Sequence, residues 1–301
     1  MDKILITGGT GLVGQAIVKQ CHDKGISINY LTTDKTKIKS LPNYQGFHWN
    51  PPSNDIDIDC FKEVDTIINL AGASIAKRWT PKWKQQMIDS RLKSLQLLYD
   101  AIKLHNIKIE QLISASAIGY YPDSLTNFYD ESYVSIPGTF VSRLVKDWED
   151  AVDCFKDLHT KVAKLRIGVV LSQNGGALPK MATPIKWFIG APFGSGKQWQ
   201  SWIHIEDLTN LFLYVFKYKL EGVYNAVAPN PVTHNYLTKA IAKTVNRPIF
   251  LPRIPSFVLK RLLGEMSQIV LEGQRVSSKR IENLGFEFKH PTIEAALQDL
   301  F

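Results

Sequence analysis

The chain has 301 residues, with 45% apolar and 21% charged residues, a composition typical of soluble globular proteins. It carries 36 basic against 28 acidic residues, and the resulting net charge of +8 favours anionic ligands in general. The basic residues are spread along the chain, so we expect no nucleic-acid partner, even for the Trp-containing run KRWTPKWK at 77–84. No stretch approaches about 18 continuous apolar residues. We therefore expect a cytoplasmic protein without a signal peptide or a membrane partner.

The first half of the chain alternates short apolar strands with helices. Strands are predicted at 3–7, 27–33, 46–50, 64–73, 109–117 and 161–171. Helices are predicted after the glycines at 8–14, at 80–106 with Thr80 as N-cap, and at about 139–158 after a Pro-Gly turn. Strands alternating with helices predict an α/β fold with a Rossmann-type, doubly wound parallel sheet.

After residue 171 the sequence becomes rich in turns. A strand at 223–228 is predicted to return to the sheet, and an amphipathic helix is predicted at 234–247. We expect a nucleotide-binding domain at 1–171, to which the chain returns at about 200–230. Residues 172–301 would form most of a smaller, substrate-binding C-terminal part. The three cysteines are widely spaced and give no disulfide or metal pattern, so no metal is expected.

The segment GGTGLVG at 8–14 lies between a predicted strand and a predicted helix. Gly8 suits a tight turn, Gly11 leaves room for a pyrophosphate, and Gly14 allows the helix to pack close to the strand. Free N–H groups at the helix start would then meet the phosphates. We expect the cofactor contacts here and after the fourth strand to include Thr7, Gly8, Gly9, Thr10, Gly11, Leu12, Val13, Gly14, Leu70, Ala71 and Gly72.

The end of the second strand reports on the choice between the two nicotinamide cofactors. A carboxylate there selects NAD through the ribose hydroxyls, whereas a basic residue accepts a 2′-phosphate. Thr33 occupies the position where that carboxylate usually lies, and Lys35 follows closely enough to meet a 2′-phosphate. We therefore favour NADP(H), while Asp34 keeps NAD(H) open.

Several motifs carry a resemblance to a known family. TGGTGLVG, NLAGA at 69–73 and SASAIGYY at 114–121 occur in the order typical of extended short-chain dehydrogenase/reductases. Four longer segments narrow the match to one subfamily of these enzymes: KRWTPKWKQQMIDSR, RIGVVLSQNGGALPKM, GSGKQWQSWIHIEDL and GQRVSSKRIENLGFEF. The chain resembles an atypical extended subfamily, the epimerase family proteins of subfamily 39U, over nearly its whole length. The resemblance includes a C-terminal segment of unknown function at about 248–296, and it implies NADP(H) or NAD(H) binding.

The superfamily implies a catalytic Tyr, a Lys four residues later and a Ser at the end of the preceding strand. Ser116 matches the Ser, with Ser114 as the nearby alternative, and Ser114 is also a predicted cofactor contact. Phe140 and Leu144 stand where the Tyr and Lys should be, so the usual acid–base pair is missing.

Substitutes for the missing acid follow the Ser directly. Tyr120 or Tyr121 would donate the proton, and Tyr120 matches better the position where extended members carry a Tyr. Glu149 is interpreted as a helix-face charge. Arg166, near the expected nicotinamide position, is a predicted cofactor contact and would hold an anionic substrate or brace the loop.

The resemblance places the substrate pocket at 194–208. Phe140, Lys197, Gln198 and Trp202 are the predicted substrate contacts, whereas His204 and Asp207 are expected to anchor the segment. Two functions follow: an NADP-dependent oxidoreductase or epimerase acting on a small polar substrate, or an NADP(H)-binding sensor without turnover. The long helices at 80–106 and 139–158 either pair in a homodimer, as in kindred enzymes, or are covered in a monomer.

Overall fold

The computed structural model describes residues 3–136 and 138–301. The strands are β1 Lys3–Thr7, β2 Ser27–Thr32, β3 Ser40–Leu41, β4 Tyr44–Asn50, β5 Asp55–Ile56, β6 Thr66–Asn69, β7 Gln111–Ala117, β8 Phe128–Tyr129, β9 Lys161–Ile167, β10 Val169–Leu171, β11 Trp199–Gln200, β12 Trp202–His204, β13 Gly222–Ala226, β14 Val232–Thr233 and β15 Arg275–Val276. The helices are α1 Leu12–Asp23, α2 Pro81–Leu104, α3 Phe140–Asp153, α4 Ala177–Lys186, α5 Ile205–Lys217, α6 His234–Thr244, α7 Ser256–Leu263, α8 Gln268–Leu271, α9 Lys279–Glu282 and α10 Ile293–Leu300.

One large sheet carries the fold. Its strand order is β13-β9-β7-β6-β1-β2-β4-β3, and β5 also pairs with β4. All pairs are parallel except those that β3 and β5 make with β4. The predicted α/β class and doubly wound parallel sheet are confirmed, and the carboxyl ends of β1, β6 and β7 meet at one edge.

The sheet is covered on both faces. Because side chains alternate along a strand, Gln111 and Ser116 of β7 point to opposite faces. Gln111 donates to the carbonyl of Val215 in α5, and Ser116 donates to Glu149 in α3. Helix α2 packs on α3, and α1 packs on α5. Helix α3 begins at Phe140 with a capping box made by Thr139 and Ser142. The Pro-Gly turn predicted before it includes Pro137, which lies outside the described residues.

The outer face of α2 is polar. Its exposed positions include Lys82, Gln85, Lys93, Gln96 and Asp100. A four-helix dimer built on this face would have to bury these charged groups, which costs desolvation energy. The oligomeric state stays a prediction, and Leu104 is the large apolar side chain that this face exposes among the described residues.

The predicted strand at 161–171 is broken in the structure. Gly168 separates β9, which joins the large sheet, from β10, which pairs with β12. A Cβ at Gly168 would lie 2.3 Å from the carbonyl oxygen of Ser201, so the break follows from a close approach of two backbones. A second hydrophobic core begins there, with Leu171, Leu178, Trp202, Leu237 and Leu297 among its members.

The C-terminal segment is joined to two earlier loops. The Gly273 N–H donates to Asp123 over 2.8 Å, and Gln198 Nε2 donates to the Val270 carbonyl over 3.0 Å. Trp199 Nε1 also donates to the Leu125 carbonyl over 2.9 Å. No helix in the described part of the chain is both long enough and apolar enough to cross a membrane.

Candidate functional site

The glycine turn after β1 has the geometry that its sequence requires. Gly8 adopts φ +69°, in the left-handed region, and a Cβ there would lie 2.8 Å from the Leu70 carbonyl oxygen. A Cβ at Gly14 would lie 2.3 Å from the Gly8 carbonyl oxygen and 2.6 Å from Gly9 Cα. Only a glycine at position 14 therefore lets α1 start this close to the strand.

The first turn of α1 is open to an anion. Gly11 is the N-cap, and within the described structure no side chain caps the helix and no acidic residue lies in its first turn. The first N–H groups of a helix have no partner within it and carry its positive end. Thr10, Leu12 and Val13 around this turn are partly exposed. The turn therefore fits the pyrophosphate of a dinucleotide.

Three side chains link the ends of the central strands. The Thr7 hydroxyl donates to Asn69 Oδ1 over 2.7 Å, and Asn69 Nδ2 donates to the Ser114 hydroxyl over 3.0 Å. Thr7 Oγ1 also accepts hydrogen bonds from the N–H groups of Leu70 and Ala71. All three linked residues are buried. Thr7 and Ser114, predicted as cofactor contacts, therefore shape the edge of the site with their side chains.

The sequence analysis missed Asn69, the side chain that links Thr7 to Ser114. Its signal was a polar residue at the end of the apolar strand TIIN. Gly72, three residues later, is exposed, and a Cβ there would lie 2.9 Å from the Arg91 guanidinium carbon.

The side chains after β2 differ in whether neighbouring protein groups already bind them. Asp34 Oδ1 accepts from the N–H and the hydroxyl of Thr36, and Oδ2 lies 3.6 Å from Lys37 Nζ. The Thr36 hydrogen bonds are the first cause that lowers the pKa of Asp34 below its usual value. Thr33 and Lys35 are exposed beside it. A ligand at this edge would meet Thr33 and Lys35 before a free carboxylate.

A buried polar network lies below the expected reaction centre. Ser116 donates to Glu149 Oε1 over 2.6 Å, and Arg166 donates to the two carboxylate oxygens from Nε over 2.8 Å and from Nη2 over 2.9 Å. Arg166 Nη1 donates to the Tyr121 hydroxyl over 3.0 Å, and that hydroxyl donates to Asn225. Burial alone would lower the pKa of Arg166, but hydrogen bonds and charge from Glu149 outweigh it and raise that pKa.

This network bears on three of the sequence interpretations. Glu149 is a buried ion-pair partner and not a surface charge. Arg166 is buried and donates three hydrogen bonds to Glu149 and Tyr121, which favours the bracing role over the contact with an anionic substrate. Ser116 is buried and its hydroxyl donates a hydrogen bond to Glu149, so that donor is already engaged in this arrangement.

The two tyrosines after Ser116 differ in what their hydroxyls do. Tyr121 is fully buried, and burial, the main cause, raises its pKa to about 12. Tyr120 is only partly buried, and its ring lies 3.5 Å from the Arg166 guanidinium. The Tyr120 hydroxyl accepts from the Ser135 N–H over 3.3 Å. The proton of Tyr121 is committed to Asn225, whereas that of Tyr120 has no acceptor among the described residues.

Phe140 and Leu144 lie in an apolar cluster with Trp79, Met87 and Met266. The edge of the Phe140 ring meets Trp79, with centroids 5.5 Å apart. Lys84 Nζ lies 4.9 Å from the Phe140 ring and forms an ion pair with Glu265 of the C-terminal segment. The sequence analysis did not anticipate Lys84 beside Phe140, because α2 and α3 meet only in the folded chain.

The predicted substrate contacts in the 194–208 segment differ in their exposure to solvent. Lys197 is exposed. Trp202 is fully buried and donates from Nε1 to the Asn230 carbonyl, and Gln198 is buried and donates to the carbonyls of Phe193 and Val270. Gln198 and Trp202 therefore hold the segment together, which favours a structural role over a substrate contact.

A group of metal-ligand residues lies at the start of α5. Ligand atoms of His204, Glu206, His290 and Asp299 come within 4.8 Å of one another. However, His204 Nδ1 accepts from the Glu206 N–H over 3.1 Å, so the neutral ring carries its proton on Nε2. That nitrogen lies 3.3 Å from Asp299 Oδ2 but makes no hydrogen bond with a described residue. His204 and Asp207, which accepts from the N–H groups of Lys289 and His290, therefore anchor this segment.

Comparisons with known proteins agree with this geometry. A model of the NAD dependent epimerase/dehydratase family matches residues 4–140, and a domain of unknown function (DUF1731) matches residues 254–300. An epimerase family protein of Staphylococcus aureus (strain MRSA252) is 38% identical over 307 residues, covering 100% of this chain and 99% of that protein. One of Staphylococcus epidermidis (strain ATCC 12228) is 37% identical over 301 residues, with the same coverage.

Solved structures give the same assignment. The crystal structure of human epimerase family protein SDR39U1 (isoform 2) with NADPH matches with a TM-score of 0.86 and 30% identity, covering 99% of this chain and 98% of that one. A nucleoside-diphosphate sugar epimerase from Corynebacterium glutamicum matches with a TM-score of 0.79 and 29% identity, covering 99% of this chain and 57% of that one. The chain belongs to the NAD dependent epimerase/dehydratase family, among its epimerase family proteins.

Proposed function

We propose that the protein is an NADP(H)-dependent oxidoreductase or epimerase that acts on a small polar substrate without a Tyr-x-x-x-Lys pair. The observation that carries this proposal is the first turn of α1. No side chain caps this turn, and the backbone of Gly8 and Gly9 packs directly against Gly14. The similarity to a human relative solved with NADPH supports the same cofactor class.

The preference for NADP(H) rests on the end of β2. Both carboxylate oxygens of Asp34 already face protein groups, so they are poorly placed to accept from ribose hydroxyls. Thr33 and Lys35 are exposed next to it, and a lysine ammonium suits a 2′-phosphate. The glycine turn would hold the pyrophosphate, and Lys35 would hold the additional phosphate.

The proton chemistry is assigned to Tyr120. When bound, the nicotinamide supplies hydride exchange at a carbon bearing oxygen. Tyr120 would give or take the proton at that oxygen, because its hydroxyl proton is the uncommitted one of the two tyrosines. Arg166 and Glu149 act as positioning residues, since the guanidinium stacks on the Tyr120 ring and the carboxylate fixes the guanidinium.

A second candidate function is an NADP(H)-binding sensor without turnover. Phe140 and Leu144, at the positions of the usual acid–base pair, are packed into an apolar cluster. The Ser116 and Tyr121 protons are also committed to protein acceptors. In this case the protein would bind the cofactor and signal through its conformation.

The first experiment titrates the purified protein with NADPH and with NADH, following energy transfer from tryptophan to the reduced nicotinamide. We expect NADPH to bind at least about tenfold more tightly, a difference that one charge-assisted phosphate contact supplies. The Lys35→Ala variant should lose this preference, while Lys19→Ala on the exposed side of α1 should keep it. A preference for NADH would refute the assignment of Lys35 and point to Asp34.

The second experiment asks whether turnover occurs. With NADPH present, small carbonyl compounds and nucleotide sugars are screened for cofactor oxidation. For a substrate that turns over, Tyr120→Phe should lower kcat by about 100-fold and leave NADPH affinity unchanged. Tyr218→Phe, which changes an exposed tyrosine at the C-terminal end of α5, is the control. Tight NADPH binding with no turnover of any compound would favour the sensor, and full activity of Tyr120→Phe would refute the role of Tyr120.

A further inference from the structure

Large apolar side chains are exposed together in the C-terminal half. Between 63% and 74% of the surface is exposed for Trp187, Ile189, Phe250, Phe257 and Leu262. They belong to two adjacent segments, 187–193 and 247–263. Phe188 stacks on Phe250 with centroids 6.4 Å apart, and Phe193 forms a β-bridge with Ile254. Soluble proteins rarely expose this many large apolar side chains on neighbouring segments without a binding role.

The exposed ionisable side chains within these two segments are all basic. The exposed ionisable residues in the two segments and directly beside them are Lys186, Arg247, Arg253, Lys260 and Arg261. Residues 172–205 and 222–264 contain nine Lys and Arg and no Asp or Glu. The other 27 basic residues (36 minus nine) are balanced by the 28 acidic residues, so the whole net charge of the chain resides in these two stretches. We call the exposed side chains of 186–189 and 247–262 the basic apolar face.

Helix α7 shows how the two features combine. Phe257, Lys260 and Arg261 are three and four residues apart, so they lie on one side of the helix. Leu259, on the other side, is buried against the protein. An outward side with an aromatic residue between two cations is typical of helices that lie in the surface of a bilayer.

The sign of the charge decides between possible occupants. A two-fold dimer through this face would place the same cations against each other, which is repulsive. An anionic surface would instead attract them. Trp and Phe side chains favour the interface of a bilayer, and Lys and Arg side chains extend toward its headgroups.

We propose that the basic apolar face docks on the surface of a bilayer containing anionic phospholipids. The sequence analysis expected no membrane partner because no segment spans a bilayer, but surface docking needs no span. The inference is independent of the proposed enzymatic function.

The test is co-sedimentation of the full chain with vesicles of phosphatidylcholine alone and of equimolar phosphatidylcholine and phosphatidylglycerol. We expect binding to the anionic vesicles, little binding to the neutral ones, and weaker binding as salt increases. Each basic residue at the surface contributes about a fivefold factor in partitioning, so Lys260→Glu with Arg261→Glu should weaken binding by more than about 25-fold. Trp187→Ser with Phe250→Ser should also weaken it.

Two control variants match these changes elsewhere on the protein. Lys19→Glu with Lys24→Glu makes the same charge change on α1, and Leu104→Ser removes an exposed apolar side chain at the end of α2. Both should bind vesicles as the unaltered chain does, and circular dichroism should show unchanged thermal midpoints for all variants. Equal losses in face and control variants, no binding of the unaltered chain, or binding to polyglutamate without binding to vesicles would each overturn the proposal.

Discussion

Replacing Glu149 with Gln tests the buried network most directly. Glu149 is buried and accepts three hydrogen bonds, one from Ser116 and two from Arg166. The Gln side chain has nearly the same shape but no charge, and its NH₂ group would face a guanidinium donor. The buried Arg166 would then lack its counter-ion.

The expected cost follows from the burial of the pair. Removing one partner of a buried ion pair costs about 3–5 kcal/mol of the free energy of unfolding, because the other charge stays desolvated. In a chain of this size each kcal/mol lowers the melting temperature by about 2 °C, so Glu149→Gln should lower it by about 6–10 °C. Removing both charges, with Glu149→Leu and Arg166→Met together, should cost much less than the single change.

Urea unfolding followed by tryptophan fluorescence measures this free energy. Asp150→Asn is the matched control, because Asp150 is the next residue of α3 and its ion pair with Lys146 is exposed. That change should cost less than about 0.5 kcal/mol. A cost for Glu149→Gln within the same range would show that Glu149 does not compensate a buried charge, and the argument that it positions Tyr120 would fail.

Three further predictions concern other parts of the site. Gly14→Ala forces backbone apart and should weaken NADPH binding by about tenfold or more, whereas Gly138→Ala, which adds its methyl to open space, should not. Burial lowers the pKa of His234 from 6.5 to about 4, so between these pH values the unfolded chain binds more protons. The free energy of unfolding should fall by up to about 3 kcal/mol as pH drops from 6.5 to 4, and a His234→Gln variant measured by urea titration should show a flatter profile. Trp202→Phe leaves the Asn230 carbonyl without its donor and should cost about 1 kcal/mol of stability, yet leave NADPH affinity and the KM of any identified substrate unchanged; a raised KM would restore Trp202 as a substrate contact.

Local sequence signals predicted the parallel sheet and the glycine turn well. Gly14 packs against Gly8 and Gly9, which lie within six residues, and Gly8 is needed for its own left-handed φ, so local spacing carries most of this information. The end of β2 is local in the same sense, since Asp34 is engaged by Thr36 and Lys37.

Long-range contacts explain what the sequence did not show. Glu149 looks like a surface charge on α3 until β9 brings Arg166 against it. Gly168 looks like part of one continuous strand until Ser201 approaches its backbone. Trp202 resembles a pocket residue, but its indole N–H is taken by Asn230, 28 residues further along the chain. In each case the partner is fixed by packing and not by spacing.

The hydrogen bonds of the C-terminal segment bear on how this architecture can be divided. The two family models cover residues 4–140 and 254–300 and invite a view of the protein as two exchangeable modules. Yet Gly273 is tied to Asp123 in the first, and Glu265 is paired with Lys84 beside Phe140. Contacts therefore cross the boundary between the regions that the two family models match. A recombinant chimera that swaps the C-terminal segment between relatives would also have to carry the matching loop at 121–129 and the start of α2.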